Sequence, residues 1–583
     1  MAQFADLPIE LLPLILSFVP NPLNHTKTCL VNKIFYQYAG PKLYERISIY
    51  SWHKRAKERV ILLFVSLAMK RYEDVGRWVR RLEIRDFPKS LSPTISLEPS
   101  PPSSSSSSPP ESIDITTLIT TALSNCPHLR SCTWTRDGSL STEILLALQT
   151  HCKELEELEI NGHSGGGNYD ARTLVGFKEL RKVRLIMPGV GVAGRLREWI
   201  GGMTEGRLKH LTLVCKLSPL ISDTLLERLS PHLRSLEHFS ITGCPKVTER
   251  GIIAVLEKNE NGIVGLGLEG LSVKFHMPTF RSACLQHGFL RRLCTLTLTV
   301  HHQVPLEEWT TNVNDILSST QLSHSESPLV HPSSSPSSSS SSSFASVSPP
   351  PLESFHIYSP TTFFEPSTST SLFFHNLVSV HHATLKKISI HRMLIGMEVI
   401  ERICRTCEEL EELVVVVERG NVGGLPQLAS RCLSRAKRLR IVHVNYPLEA
   451  RTRRVLQGSY SRNPHHLGDD DGQEDDDEDE DHGDNGDDME ENEDENEDED
   501  GDGGVDGEGD GIDLFRPVLL PPDALAIVQK CPATLEQFGC NTRVWKIQKR
   551  AEVDETGKVV GIRRELVRYD SLDIPEAFLV VRT

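Results

Sequence analysis

Two cysteines with the spacing of a zinc-binding motif occur in the tetrapeptide CRTC at 404–407. A structural zinc site needs four ligands, and the chain contains no second C-x-x-C to supply the other two. Cys126, Cys152 and Cys407 each lie three residues before a leucine that opens the same short apolar pattern. A residue type that recurs at one position of a repeated pattern indicates packing in a core. We therefore expect structural cysteines, no bound metal and no other cofactor.

A partial calcium-loop pattern occurs in DEDGDGGVDGEG at 498–509, where Asp498, Asp500 and Asp502 alternate with other residues. Gly509 stands where the loop needs a bidentate Glu, and no amphipathic helix flanks the sequence. A tract of Asp, Glu, Gly and Asn produces such a match by chance. The chain also lacks an H-E-x-x-H motif. We expect a non-catalytic binding protein, not an enzyme.

The apolar stretch LPIELLPLILSFVP at 7–20 does not have the features of a secretory signal. The leader MAQFAD contains no Lys or Arg, and Glu10 and two prolines interrupt the apolar run. The next apolar run, at 60–69, is far shorter than the roughly 20 residues that span a bilayer. We expect a soluble, non-secreted chain with no membrane partner. The scattered cysteines favour a reducing compartment, the cytoplasm and/or the nucleus.

Acidic residues are concentrated in one tract of the chain. Of 79 Asp and Glu, 27 lie at 469–511, where there is no Lys or Arg, so the rest of the chain carries 63 basic against 52 acidic residues. This tract and two Ser/Pro-rich tracts, at 97–111 and 324–351, cannot bury enough apolar surface to offset the entropy of ordering them. We expect three disordered insertions in an otherwise folded chain.

The pattern L-x-x-φ-x-φ, in which φ is apolar, recurs along most of the chain. Its last two apolar positions are two residues apart, so both side chains point to one face of a short strand. The sequences that follow, such as 221–230 and 248–259, predict helices. Units of one strand and one helix must stack, because none can bury its apolar face alone. The copies begin at Leu155, Leu180, Leu208, Leu236, Ile263, Leu293, Leu352, Leu385, Leu410, Leu439 and Leu535, with weaker copies at Val79 and Leu129.

This pattern resembles the leucine-rich repeat, since the copies from 129 to 293 begin 25 to 30 residues apart. The copy at 236–256 resembles the cysteine-containing subtype, with Cys244 after the strand. The resemblance implies a curved α/β solenoid with parallel strands and with helices on the convex side. The expected ranges are a linker helix and first repeat at 51–96, further repeats at 112–323 and 352–450, and the last repeat with a C-terminal cap at 512–583.

The tail of the chain must cover the last apolar face of such an array. The sequence DETGK at 554–558, with Gly557 as the turn residue, predicts a β-hairpin. We expect Trp545 and Ile547 to pack against the final repeat.

The residues before the repeats do not follow their pattern. Residues 5–50 resemble the F-box, a small three-helix module, through Leu7-Pro8, Glu10-Leu11-Leu12, Ile15-Leu16, CLVNK at 29–33, Phe35-Tyr36, Pro41 and Leu43-Tyr44. Pro13 predicts that the first helix begins near Glu10, since proline is tolerated only in a first turn. The resemblance implies docking on a Skp-family adaptor and, through it, on a cullin–RING ubiquitin ligase.

The resemblance also implies which side chains dock: Leu7, Pro8, Leu11, Ile15, Leu30, Val31 and Leu43. The alternative is that some of them, Ile15 and Leu30 especially, form the core of the module, because small amphipathic bundles bury much of their apolar surface.

Alternate positions of the strands supply the exposed face of the solenoid, an extended surface of the size that proteins bind. Charges on it change sign from one repeat to the next, without the continuous Lys/Arg stripe that a nucleic acid requires. We therefore expect a protein substrate and no nucleic acid. The candidate substrate-binding residues are Glu159, Arg184, His210, Thr212, His238, Ser240, His356 and Lys387.

Together, the two resemblances imply the substrate-recognition subunit of an SCF-type (Skp–cullin–F-box) ubiquitin ligase, with catalysis on other subunits. The alternative is a ligase-independent scaffold, or a chaperone that binds basic proteins through the acidic tract at 469–511. Deletion of that tract distinguishes them, because it should spare adaptor binding and abolish the binding of basic proteins.

Overall fold

The computed structural model describes most of the repeats and parts of both ends of the chain. The described residues are 8–19, 22–50, 55–85, 115–136, 138–165, 168–300, 305–318, 349–363, 367–417, 425–446, 519–555 and 558–569. The tracts predicted to be disordered at 97–111 and 469–511 lie outside these residues, as does the tract at 324–351 except for its last three residues, 349–351.

Short segments of alternating polarity form one sheet of sixteen strands, in which each strand pairs with its neighbours along the chain. Strands β1 to β14 are parallel, and β15 and β16 are antiparallel additions. The strands are β1 Arg46–Ile49, β2 Arg81–Ile84, β3 Ser131–Trp134, β4 Glu157–Asn161, β5 Lys182–Ile186, β6 His210–Val214, β7 His238–Thr242, β8 Gly265–Glu269, β9 Thr295–Thr299, β10 Ser354–Phe363, β11 Lys387–Leu394, β12 Glu412–Val416, β13 Ile441–Asn445, β14 Gln537–Cys540, β15 Arg543–Val553 and β16 Val559–Arg568.

Helices connect the parallel strands, and those of consecutive repeats pack against one another. The helix Glu249–Lys258 is typical: the Thr248 hydroxyl caps its first turn, and Ile252, Val255 and Leu256 are buried. The helices are α1 Leu12–Ser17, α2 Pro22–Cys29, α3 Lys33–Tyr44, α4 Ala56–Ala68, α5 Glu73–Trp78, α6 Ile115–Ser124, α7 Thr142–His151, α8 Val190–Gly201, α9 Asp223–Leu229, α10 Glu249–Lys258, α11 Met277–His287, α12 Leu306–Ser318, α13 Thr368–His381, α14 Met397–Thr406, α15 Leu425–Gln427 and α16 Pro521–Lys530.

The strand register confirms the repeat predicted from the sequence. Equivalent apolar positions lie side by side across neighbouring strands, as Leu158, Val183 and Leu211 do across β4, β5 and β6. These side chains are at most 1% exposed and form the core between sheet and helices. The chain thus contains a long parallel sheet with helical connections, the architecture of a leucine-rich-repeat-like solenoid.

The structure adds one strand that the pattern did not include. Arg46–Ile49 pairs in parallel with β2, so the segment 5–50 ends in the first strand of the sheet. Tyr44, Ile47 and Ile49 have the repeat spacing, but Tyr44 stands where the other copies have an aliphatic residue.

The N-terminal segment forms a short 3₁₀ turn, Ile9–Leu11, followed by α1, α2 and α3. Pro13 lies in the first turn of α1, as predicted from the geometry of proline. Helices α1 and α2 both contact α3, and Leu12, Leu16 and Ala39 are buried. The Asn32 side chain caps α3 by accepting a hydrogen bond from the Phe35 amide at 2.9 Å.

The C-terminal strands β15 and β16 form the predicted hairpin and cover the end of the parallel sheet. The Trp545 ring stacks on Phe538 of β14 at 6.1 Å between centroids, and Ile547 is buried. The expected packing of both residues is therefore confirmed. Gly557, the expected turn residue, lies outside the described residues.

The cysteines of the repeat positions lie in the core. Cys126, Cys152, Cys404 and Cys407 are buried free thiols, and burial raises the pKa of Cys407 to about 12. In the described ranges, no group of three or more His, Cys, Asp or Glu side chains could hold a metal ion. Nor does any helix there have the length and apolar character needed to cross a membrane.

Candidate functional site

One face of the parallel sheet is left open by the helices, and we call it the open face. It consists of the first, third and fifth side chains of each repeat strand, such as Glu157, Glu159 and Asn161 of β4, which alternate with buried residues. Because the strands are in register, these side chains form three rows across the sheet. All eight predicted substrate-binding residues lie in these rows.

The first five strands carry a chain of ion pairs along the open face. The Arg46 guanidinium donates to Glu83 at 2.8 Å, and Arg85 lies 3.7 Å from Glu83 and 3.3 Å from Glu159. Arg184 of β5 lies 3.6 Å from the same Glu159 carboxylate. Glu159 is thus shared by two arginines, and its charge is compensated within the chain.

Strands β6 and β7 present two histidines in place of charges. The rings of His210 and His238 stack with their centroids 4.3 Å apart. Burial, with a smaller effect of the neighbouring His238, lowers the pKa of His210 to about 4, and burial also lowers the pKa of His238. The pair therefore presents neutral aromatic edges, beside the small side chains Thr212 and Ser240.

Strand β8 adds no side chain to two of the three rows of the open face, because its first and third residues, Gly265 and Gly267, are glycines. A Cβ atom at Gly267 would lie 2.5 Å from Oγ of Ser240, and one at Gly265 would collide with the His238 ring. The side chains of β7 lean over β8 and occupy this space. Beyond β8, the short side chains of Thr295 and Thr297 in β9 leave a depression in the open face, bordered by Arg184 of β5 and the larger residues of β10 and β11.

A cleft of about 520 Å³ lies at this depression. Its floor contains Thr295 and Thr297 of β9 and the carboxylate of Glu269 at the end of β8. The side chains that give it chemical character are Arg184, Glu269, His356, Tyr358, Lys387 and His391.

The cations that line the cleft are each paired with a carboxylate of the chain. Lys387 lies 3.1 Å from Glu412, which is almost fully buried, and Lys386 lies 3.0 Å from Glu353. Arg184 is paired with Glu159, as described above. Glu269 has a different environment: it accepts a hydrogen bond from the Thr242 hydroxyl at 3.4 Å, and burial raises the pKa of its carboxyl.

The cleft brings together three of the predicted residues, Arg184, His356 and Lys387. The stacked His210 and His238, with Thr212 and Ser240, lie on the strands between Arg184 and the cleft floor, and Glu159 belongs to the ion-pair chain.

Sequence reasoning missed Glu269 and His391. They occupy the fifth position of their strands, directly after the last apolar position of the repeat and two residues beyond its last exposed position. Extending the pattern by one alternate residue would have placed both on the open face, since side chains alternate along a strand.

A second candidate surface lies on the N-terminal helices. We call it the apolar N-terminal surface, and its residues are Leu11, Leu14, Ile15, Phe18, Leu30, Val31, Ile34 and Tyr36, all at least 40% exposed. Leu30 is 82% and Phe18 78% exposed. The alternative that Ile15 and Leu30 form the core of the module is wrong, because Leu12 and Leu16 occupy it instead.

The other predicted adaptor residues differ in exposure. Pro8 and Val31 are exposed, whereas Leu43 is half-buried. Leu7 lies outside the described residues.

Sequence reasoning did not consider two glycine patterns. GHSGG at 162–166 resembles the G-x-S-x-G motif of catalytic folds, and GVGVAG at 189–194 resembles the G-x-G-x-x-G motif of nucleotide-binding folds. Residues 162–165 follow β4 without helical structure, and among the described residues the next helix is the 3₁₀ helix Ala171–Gly176, whereas a serine nucleophile of this motif lies on a sharp turn directly between strand and helix. The two loops pack together, since the Gly189 amide donates to the Gly162 carbonyl at 2.9 Å. A Cβ atom at Gly191 would lie 2.7 Å from Oγ of Ser164. The close approach of the two segments accounts for Gly162 and Gly191, since a Cβ atom at Gly162 would also lie 2.6 Å from Cα of Pro188.

Comparisons with known proteins add little to this geometry. No family model matches the chain, and no curated protein matches it. Among the solved structures that match is a plant peptide hormone receptor, RGFR1, in complex with RGF2, with 13% sequence identity and a TM-score of 0.22. The match covers 64% of this chain and 46% of that one, so it spans less than half of the receptor chain. The solenoid assignment therefore rests on the strand register.

Proposed function

We propose that the chain is a non-catalytic substrate receptor of a cullin–RING ubiquitin ligase. In this proposal the N-terminal helices dock on a Skp-family adaptor, and the open face of the sheet binds a protein substrate. The receptor holds its substrate near the conjugating enzyme, which raises the effective concentration of the reacting groups. The family resemblance of residues 5–50 and the repeats that follow them support the proposal.

The observation that carries the proposal is the apolar N-terminal surface. Eight large apolar side chains between Leu11 and Tyr36 are exposed to water on a module of three short helices. Burial of such side chains is worth about 1.5–3 kcal/mol each, so a module gains from leaving them outside its core only if a partner covers them. The predicted adaptor residues Leu11, Ile15, Leu30 and Val31 all belong to this surface.

The test is a calorimetric titration of the purified full-length chain with a purified Skp-family adaptor. We expect Leu30→Asp/Val31→Asp to weaken binding about a hundred-fold or more, because two carboxylates would lose their hydration in an apolar contact. Both residues are exposed, so the substitutions should leave the fold unchanged.

The control is Leu62→Asp, which introduces one carboxylate at an exposed leucine of α4 outside the apolar N-terminal surface. It should bind the adaptor like the unmodified chain. An unmodified chain without affinity for the adaptor would refute the proposal, as would equal losses in both variants.

A further inference from the structure

Glu269 is the charged group of the cleft that lacks an ion-pair partner. Within the described part of the chain, its carboxylate has one hydrogen bond, from the Thr242 hydroxyl, and no Lys, Arg or His nitrogen within 4.0 Å. Loss of hydration raises the pKa of this carboxyl more than the fields of His356 and Arg184 lower it. A carboxylate partly removed from water gains strongly from a cation that can reach it.

The cations around the cleft are in the opposite situation. Lys386, Lys387 and Arg184 each have a carboxylate of the chain within 4.0 Å. An anionic guest would have to compete with these carboxylates, whereas a cationic guest would complete the one unpaired charge. The electrostatics of the described residues therefore favour a cation.

The shape of the cleft admits an extended side chain. The short side chains of Thr295 and Thr297 leave the approach to Glu269 open, and the volume of about 520 Å³ exceeds that of a lysine or arginine side chain. The wall on β10 includes Tyr358, whose aromatic ring suits the aliphatic stem or the cation of such a guest.

We infer that this cleft binds a lysine or arginine side chain of a protein segment, with Glu269 as its ion-pair partner. The inference rests on the proposed function only in taking the ligand to be a protein. It is tested on the full-length chain without adaptor, so its failure leaves adaptor binding to be judged separately.

The probe is a pool of N-acetylated, C-amidated octapeptides with a central arginine or lysine and mixed residues elsewhere. The matched pool carries citrulline or acetyl-lysine at the same position, which keeps the shape and removes the charge. By fluorescence polarisation we expect the charged pool to bind about ten-fold or more tightly. Glu269→Gln, which keeps the hydrogen bond from Thr242, should abolish the difference.

Three further variants distinguish the effect of the Glu269 charge from the effect of the space available in the cleft. Glu353→Gln removes a carboxylate of the cleft wall that is already paired with Lys386, and it should keep the preference. Thr297→Phe should block the cleft without changing its charge, whereas Thr297→Val should bind normally, so the test does not depend on the folding of Glu269→Gln alone.

Equal affinity for the two pools would overturn the inference. So would a preference of the unmodified chain for phosphoserine or aspartate at the central position, which would assign the cleft to an anion held by Arg184 and Lys387. A pool with a free α-amine and no basic side chain completes the test. Tight binding of that pool, lost in Glu269→Gln, would assign the cleft to an amino terminus instead of a side chain.

Discussion

Two buried histidines, one at the end of α13 and one in β13, should make the stability of the fold depend on pH. His381 and His443 are 2% and 1% exposed, and burial lowers the pKa of each to about 4. In the unfolded chain the two imidazoles take up a proton near pH 6.5, and in the folded chain only near pH 4. The free energy of unfolding therefore falls as the pH drops from about 6.5 to about 4. Each histidine contributes at most about 3 kcal/mol. We expect a lower thermal midpoint at about pH 5 than at about pH 7.5.

The double variant His381→Gln/His443→Gln should show a smaller difference between the two pH values, whatever its midpoint at neutral pH, and the remainder includes the contribution of His210 and His238, whose pKa values are also lowered. The control His151→Gln replaces an exposed histidine at the end of α7 and should keep it. A double variant with the full pH dependence of the unmodified chain would show that other groups cause it.

At the scale of single residues, the sequence predicts the face on which a side chain lies better than it predicts its partners. The alternation of the strands places Arg184 and His356 on the open face correctly. The alternation does not predict that Lys387 is paired with Glu412 while Glu269 has no ion-pair partner among the described residues. Such contacts depend on whether a side chain is long enough to meet a charged group on a neighbouring strand. Likewise, Leu16 and Leu30 are equally apolar, and only the packing of α1 and α2 on α3 decides which is buried.

At the scale of elements, Gly243 joins β7 to the rest of its repeat in a conformation that favours glycine. Its φ is +68°, and a Cβ atom there would collide with the carbonyl oxygen of Cys215. Its amide also donates to the Glu269 carbonyl at 2.9 Å. We expect Gly243→Ala to lower the free energy of unfolding by about 2 kcal/mol or more, measured by urea denaturation.

The control for this substitution is Gly194→Ala in the exposed interior of α8. Nothing lies within 4 Å of a Cβ atom there, so alanine should stabilise the helix by about 0.5–1 kcal/mol. Equal effects of the two substitutions would contradict the assigned role of Gly243.

Element prediction succeeds where the repeat is regular. The two-residue alternation gave every strand from β2 to β14, and the helix patterns gave α9 and α10 within a few residues of their observed ends. Strand β1 was missed because Tyr44 replaces an aliphatic residue at the opening position. The pairing of β1 with β2 supplies the hydrogen bonds that a local pattern cannot predict.

At the scale of the whole molecule, the sheet is continuous across large insertions. Thr295 of β9 pairs with Ser354 of β10, and Ile441 of β13 pairs with Gln537 of β14, although the low-complexity tracts separate them in sequence. Such insertions cost little once the repeats on both sides stack, since the entropy of loop closure grows slowly with length. The period of the repeats thus predicts the architecture despite the gaps. The partners of the molecule depend on surfaces that the period does not describe.

The most direct test of the account is the mass of the complex formed by the purified full-length chain, a Skp-family adaptor and a cullin, measured by light scattering after size-exclusion chromatography. The account predicts one copy of each protein in a single peak, and no complex with Leu30→Asp/Val31→Asp. Elution of the unmodified, folded chain apart from the adaptor and cullin would contradict it.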